Sequence, residues 1–341
     1  MSESTPYPNL WLISQHRTEA ILRHRLAELS GRIEFRATAE TLSQRANSVQ
    51  IRLSTGERVS AKYVVGCDGG HSAVRKSMGL RLEGELLGKT PSLVADLEIS
   101  QLDRTAWHIW PLTRHGVVAL CPLPEPRMFQ MVASRLPKSP VEEIIERVSK
   151  CKVERVVWRS SYIAARKVAS RFRVARVFLA GDAAHIQPPS GGQGLNTGVQ
   201  DAYNLGWKLA AVLRGSPETL LHTYEEERLP VATQVTELST RLFKTPLTKR
   251  TSATNQLSLH YRKSSLSSGT TFNDLHPGDR MPNMRLRDGT KLFQHLRGPH
   301  ATEVITPLHT HILVRPDGYI ASIGSDRTIH WFGQTIHTVH L

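Results

Sequence analysis

The sequence predicts an α/β protein whose main sheet is interrupted by an inserted antiparallel sheet. Three features predict it. "RVFLAGDAAH" is a buried apolar strand that ends on Gly181 and Asp182 and passes through a loop containing Pro188, Pro189, Gly191, Gly192 and Gly194 before a long helix. "YVVGCDGG" is a second apolar strand, ending on Asp68 and Gly69 just before the short helical stretch "SAVRKSMG". Strand–loop–helix units of this kind build α/β sheets. Between them, residues 90–165 read as strands with one helical stretch, "SPVEEIIERVSK", so this block forms a separate sheet.

Taken in order, "RTEAILRHRLAELSG" places Ile21, Leu22, Leu26 and Leu29 on one side of a helix, with Gly31 as its stop. "RIEFRATAETL", "SVQIRLS" and "RVSAKYVVGCDGG" read as strands, the last two joined by the turn "STGE". In the helix after "GGQGLN", Gln200, Asp201, Asn204 and Lys208 form a narrow polar stripe. Val199, Ala202, Tyr203, Gly206, Leu209, Ala210 and Leu213 face the other way, so that apolar face is expected to be the buried one. "SPETLLHTYEEERLPVATQVTELSTRLF" continues as one helix kinked at Pro230 or as two. Residues 246–270 are basic and rich in Ser and Thr, as in a linker. In residues 271–341, "RDGT" and "RPDGY" mark turns between short strands.

The chain has 341 residues, 39% of them hydrophobic, and a formal net charge of +14. Such a charge favours anionic ligands or surfaces. The basic residues are scattered, without the arginine-rich or aromatic-studded pattern of a nucleic-acid module, so no nucleic-acid partner is expected. Cys67, Cys121 and Cys151 lack metal-ligand spacing and suit a reducing compartment, so a cytoplasmic protein without a metal site is expected. Cys67, inside an apolar strand, reads as a small buried hydrophobe. His309 and His311 alternate on one strand without a third ligand. No signal peptide or membrane-length apolar run is visible, so no membrane association is expected. "GxSxG" is absent, and "GGQG" lacks the Lys-Ser/Thr pair of a phosphate loop.

The chemistry concentrates at Asp182. At the carboxyl end of a strand, where ligands bind open α/β sheets, a carboxylate can accept hydrogen bonds from ribose-type or ribityl hydroxyls. The glycines after it let backbone approach a flat ligand closely. The following helix then directs its unpaired N–H groups and positive dipole end at that ligand.

The full string "GDAAHIQPPSGGQGLNTGVQDAYNLGWKLA" resembles the flavin-binding segment of the group A FAD-dependent aromatic hydroxylases, the para-hydroxybenzoate hydroxylase-like family. "YVVGCDGGHSAVRKSMGL" resembles that family's Asp-Gly motif, with Asp68, Gly69, Ser72 and Arg75 in place. "ISQHRTEAILRHRLAEL" is similar to the segment whose glutamine lies beside FAD, which maps onto Gln15. The tail is similar to the thioredoxin-like domain of the phenol and polyketide hydroxylase branch. The resemblance implies a partial FAD-binding sheet, an inserted antiparallel substrate sheet and a shortened thioredoxin-like C-terminal segment. The implied limits are 1–89 and 166–245 for the two parts of the FAD-binding domain, 90–165 for the substrate sheet, 246–270 for the linker and 271–341 for the tail.

The resemblance also implies a function. NADPH or NADH reduces FAD, dioxygen reacts with the reduced cofactor, and one oxygen atom is placed on a phenolic or polyketide-like aromatic ring, while the protein excludes water and positions the rings. Asp182 would bind the sugar-like chain of FAD, and Pro189 would lie near the reacting ring edge. Gly194, Leu195 and Asn196 would face the pyrimidine end of the flavin from the helix N-terminus, and Gly192 belongs to the same cofactor-binding set. Gln15 and Asp68 complete the implied cofactor set, and no catalytic residue is assigned. Trp107, Trp110 and Tyr162 are candidates for an aromatic pocket.

Only fourteen residues precede Gln15, and none forms a Gly-x-Gly-x-x-Gly turn. A full βαβ unit takes about 30 residues. The first strand, its phosphate-binding turn and a ribose-binding acid are therefore expected to be absent, leaving apolar sheet surface near Val64 and Val65 uncovered. Self-association, or a partner chain completing the site, would follow. The alternatives are a truncated, non-catalytic remnant with weak or no flavin binding, and a related flavoprotein such as an epoxidase.

Overall fold

The computed structural model describes residues 13–245, 254–324 and 336–341. They form two compact units: residues 38–84 with 166–341, and residues up to 37 with 85–165.

In the first unit, β1 (Ala39–Gln44), β2 (Val49–Leu53) and β3 (Arg58–Ala61) form an antiparallel meander. β4 (Val64–Gly66) leads into α2 (Ala73–Ser77), which follows α1 (Gln15–Glu28) of the other unit in the chain. β5 (Leu82–Leu86) pairs in a small sheet described below.

The second unit is built on β6 (Ser92–Ile99), β7 (His108–Thr113), β8 (Gly116–Pro122), β9 (Met128–Ala133) and β10 (Val153–Tyr162), in the order β10-β6-β9-β8-β7. Every pairing is antiparallel. Alternation along β6 is strict: Leu93, Ala95, Leu97 and Ile99 are buried and the residues between them are not. The buried set packs with Val141, Ile144 and Ile145 of α3 (Val141–Ser149), so one face of the sheet carries a helix.

The chain returns to the first unit through β11 (Ala165–Ala169), β12 (Arg173–Val174), β13 (Val177–Leu179) and β14 (His185–Ile186). β13 lies between β12 and β4 and runs parallel to β4; β11 lies between β14 and β5. α4 (Gly194–Leu213) and α5 (His222–Lys244) follow, and Phe178, Leu179, Leu205, Leu221 and Tyr224 form the core between sheet and helices. The tail adds β15 (Ser268–Gly269), α6 (Leu292–His295), β16 (Ala301–Ile305), β17 (His311–Val314), β18 (Ile320–Ile323) and β19 (Ile336–His340), in the sheet order β15-β18-β17-β16-β19. The protein is thus α/β with an inserted antiparallel sheet.

Several local expectations are corrected. Residues 32–38 are not strand, and "RVSAKYVVGCDGG" is two strands, β3 and β4, separated by Lys62 and Tyr63. Pro230 does not divide α5, because Val231, Ala232 and Val235 beyond it are buried and hold the helix in register. Cys67 is exposed, since β4 ends one residue earlier. Val64 and Val65 are half-buried against the core. His309 sits in a turn with φ 57°, not on a strand, and His311 Nδ1 bonds Glu303 Oε1 of the neighbouring strand at 2.9 Å. Residues 254–270 are packed, with Tyr261, Ser264 and Leu266 buried, and do not behave as a linker; residues 246–253 lie outside the described residues.

The largest correction concerns α4, which is turned the other way. Asp201, Asn204 and Lys208 are fully buried, while Leu195, Val199, Tyr203 and Leu213 are exposed. The reason is charge pairing. Lys208 Nζ donates to Glu227 Oε2 at 2.7 Å and to Asn204 Oδ1 at 2.8 Å, and Arg315 reaches Glu227 from the tail. Buried charge is tolerated when it is paired and hydrogen-bonded.

Candidate flavin site

The site starts where β13 stops. Gly181 turns the chain with φ 58°, and its Cα lies only 3.4 Å from where a side chain on Gly198 would begin. Strand end and helix thus meet backbone to backbone, which two glycines permit. Asp182 follows in a single 3-10 turn. Its carboxylate is exposed on one side and has no hydrogen-bond donor among the described residues; the protein crowding its other side raises its pKa above the usual aspartate value, opposed by His185.

Buried side chains hold this turn in place. Asp201 Oδ2 accepts from the Gly181 amide at 3.0 Å and from His185 Nε2 at 2.8 Å, while Asp201 Oδ1 accepts from Arg228 Nε at 2.7 Å. These donors keep Asp201 ionised, its pKa lowered in spite of burial, chiefly through His185 and Arg228. Arg228 also donates to Tyr261 Oη at 2.9 Å and to the Thr197 carbonyl at 3.2 Å. Its pKa is raised: burial alone would lower it, and Tyr261 and Asp201 reverse that.

The loop then carries Pro189, exposed, and Gly191 and Gly192, both with positive φ. A side chain on Gly191 would meet Leu242 Cδ1 at 2.8 Å, so this close approach requires glycine. Gln193 precedes α4 without capping it through its side chain. Among the described residues, the amides of Gly194, Leu195 and Asn196 have no backbone acceptor. Leu195 and Asn196 are exposed, and Asn196 Nδ2 donates to the Gly192 carbonyl at 2.9 Å. Gln187 Nε2 is buried without a partner, close to where a side chain on Gly194 would begin.

The Asp-Gly motif underlies the same turn. Asp68 accepts from Ser72 Oγ, from the Ala73 amide at 2.7 Å and from the Val74 amide at 3.1 Å, so its carboxylate caps α2. Those donors lower its pKa against the pull of burial. Arg75 of α2 donates to the carbonyls of Ala183 at 2.9 Å and Gly70 at 2.8 Å, which ties the two motifs together. The structure therefore brings Asp68, Asp182, Pro189, Gly192, Gly194, Leu195 and Asn196 into one unit. Gln15 belongs to the other unit, on α1, where its side chain bonds Glu19 at 2.8 Å.

The three candidate pocket aromatics do not share a face. Trp110 pairs with Val118, points to the α3 side and stacks on His108 with centroids 6.0 Å apart. Tyr162 pairs with Ser92 on the opposite face, and Trp107 is exposed before β7. The α3 side holds a cavity of about 550 Å³ lined by Trp110, Leu112, Arg114, Ile144 and Arg147.

A free carboxylate at a strand end, a glycine turn, an orphaned buried amide and three open helix amides fit a large planar cofactor with hydroxyl and ring-carbonyl acceptors. The fold and site are those of a flavin-binding α/β protein. The family described as FAD binding domain matches residues 1–239, and the chain belongs to it, among the flavin-dependent monooxygenases. It is 39% identical to a flavin-dependent monooxygenase of Mycobacteroides abscessus, over 95% of this chain and 78% of the relative. It is 37% identical to rifampicin monooxygenase of Streptomyces venezuelae, over 68% of this chain and 51% of that one. Among solved structures, the anhydrotetracycline hydroxylase OxyS of Streptomyces rimosus has a TM-score of 0.77 at 29% identity, covering 97% of this chain and 82% of that one. Aklavinone-11 hydroxylase in complex with FAD and aklavinone shares the fold at TM-score 0.79 and 23% identity, covering 94% and 77%. FAD is the cofactor of this family, and these relatives favour an oxidoreductase over a remnant. Among the described residues, no helix is long and apolar enough to cross a membrane.

Sequence reasoning missed Arg228, Gln193, Glu227 and Arg315. The available signal was Asp201, Asn204 and Lys208 at helical spacing on a mostly apolar helix, which marks either a solvated stripe or a buried network.

Proposed function

We propose that this chain is an FAD-dependent, NAD(P)H-consuming monooxygenase that hydroxylates a phenolic or polyketide-like aromatic compound. The observation that carries this reading is an Asp182 carboxylate without a hydrogen-bond donor among the described residues, at a strand end packed on α4 through Gly181 and Gly198, together with the open amides of Gly194, Leu195 and Asn196. When bound, FAD supplies hydride acceptance from the nicotinamide and activation of dioxygen. Asp182 accepts hydrogen bonds from the cofactor's hydroxyl chain. The α4 amides and dipole would stabilise electron density on the bound cofactor. Pro189 and Gly192 would flank the bound cofactor, the Gly192 carbonyl being already engaged by Asn196 Nδ2 and its amide by the Pro189 carbonyl. Asp68 acts through α2 and Arg75 to fix the floor of the turn, and Gln15 is assigned as a further cofactor contact on its similarity alone.

The names of the relatives support an aromatic polyketide as the substrate class. The three free cysteines suit a cytoplasmic setting. The test is to titrate the purified protein with FAD, then add NADPH or NADH and a panel of phenols and tetracyclic aromatics while following oxygen uptake, peroxide and product. Product in proportion to oxygen consumed supports the reading. Flavin binding without turnover by either nucleotide overturns it.

A further inference from the structure

We propose that Gln256 is a positioning residue that clamps the glycine-rich loop, and that residues 254–261 form a strap belonging to the flavin site; this rests on the reading that the loop holds FAD. Gln193, Thr197 and Gln200 follow at helical spacing of four and three, so they present one face over the first two turns of α4. The Gln256 side chain engages all three. Its Nε2 donates to Gln193 Oε1 and, at 3.2 Å, to Thr197 Oγ1, while its Oε1 accepts from Gln200 Nε2.

Gln193 passes the restraint into the loop. It is fully buried, and its Nε2 donates to the Gly191 carbonyl at 2.8 Å and to the Thr254 carbonyl, within the strap, at 2.9 Å. At the other end of the strap, Tyr261 Oη accepts from Arg228, which holds Asp201 and thereby Gly181. The strap therefore touches the loop near its glycine pair and, through Arg228, the strand end that carries Asp182.

Gln256 does this from a left-handed backbone, φ 57°, which a side chain with a β-carbon adopts at a cost. The side-chain contacts on α4 offset that cost. The conformation makes a selective experiment available, because glycine adopts the same φ without strain.

The test compares the wild-type protein with Gln256→Gly and with Gln193→Ala by amide hydrogen exchange and thermal melting, without added flavin. The reporters are the Gly192 and Thr197 amides, which donate to the Pro189 and Gln193 carbonyls; the Leu179 amide, bonded to Phe172, is the internal control. In Gln256→Gly, Gly192 and Thr197 should exchange about tenfold faster or more, with Leu179 exchange and melting temperature unchanged. Gln193→Ala should give the same local loosening. Unchanged exchange at Gly192 and Thr197 in Gln256→Gly overturns the clamp, as does equal acceleration at all three amides, which would mean general destabilisation. A parallel FAD titration keeps the two claims apart. Weaker FAD binding by Gln256→Gly, by about tenfold, supports the strap as part of the flavin site. Local loosening in a protein that binds no FAD would leave the clamp standing and overturn the flavin assignment.

Discussion

Arg315, at the end of β17, grips both carboxylate oxygens of Glu227 on α5, with Nη1 to Oε1 at 2.6 Å and Nη2 to Oε2 at 2.9 Å. Both side chains are fully buried. Asp317, two residues on, accepts from Trp207 Nε1 at 2.9 Å and from Arg315 Nη2 at 2.6 Å. The "RPDG" turn is thus one point at which the tail sheet is joined to α4 and α5, beside the apolar cluster of Trp207, Ala211, Ala301 and Leu313.

Truncating Arg315 would remove one of the two buried cations paired with Glu227, leaving Lys208 and the neutral donors Asn204 and Ser264. Arg315→Ala is expected to lose about 3–5 kcal/mol of stability, the cost of breaking a buried ion pair. Arg315→Lys should recover only part of it, because one ammonium cannot reproduce two parallel hydrogen bonds. Urea denaturation of the three proteins measures this, and equal midpoints for wild type and Arg315→Ala would contradict the assigned role.

Lys208 gives the hub a pH signature. Burial lowers its pKa from 10.5 to about 8, with Glu227 opposing the shift. Between those values the unfolded chain binds the proton and the folded chain has released it, so the Lys208 contribution to stability rises with pH across that window and is lost as pH falls through about 8. The stability difference between wild type and Lys208→Met should therefore be flat below pH 8 and grow in favour of wild type up to pH 10.5. Chemical denaturation at a series of pH values provides the curve, and parallel curves throughout would refute it.

Asp182→Ala should separate binding from folding. With no donor to lose among the described residues, the variant should melt with the wild type. Flavin affinity should fall by about 1.5–3 kcal/mol, the range for hydrogen bonds to a charged group, or roughly tenfold to a hundredfold. A lowered melting temperature with unchanged affinity would make Asp182 a turn-former instead.

Asp68→Ala should do the reverse. It removes the cap from the Ala73 and Val74 amides and should cost about 0.5–2 kcal/mol. Flavin affinity should then fall only as far as the Arg75 contact to Ala183 loosens. Asp68→Asn, which keeps an acceptor for the α2 amides, should restore most of the stability; a thermal melt of each variant decides.

Local periodicity, with glycine and proline at fixed places, was enough to read the α/β class, the presence of an inserted antiparallel sheet and the strand–loop–helix carrying Asp182. The cofactor was legible for the same reason, since its loop is contiguous in the chain. The buried side of α4 was not legible. Hydrophobicity alone places Val199 and Leu213 inward, and only the tertiary arrangement supplies the partners, Arg228 and His185 for Asp201 and Glu227 for Lys208, that make burying charge less costly than burying aliphatic surface. Nor could composition distinguish a Ser/Thr-rich linker from a packed strap: the partners of Gln256 lie 56 to 63 residues away in the chain, and only folding brings them within hydrogen-bonding distance.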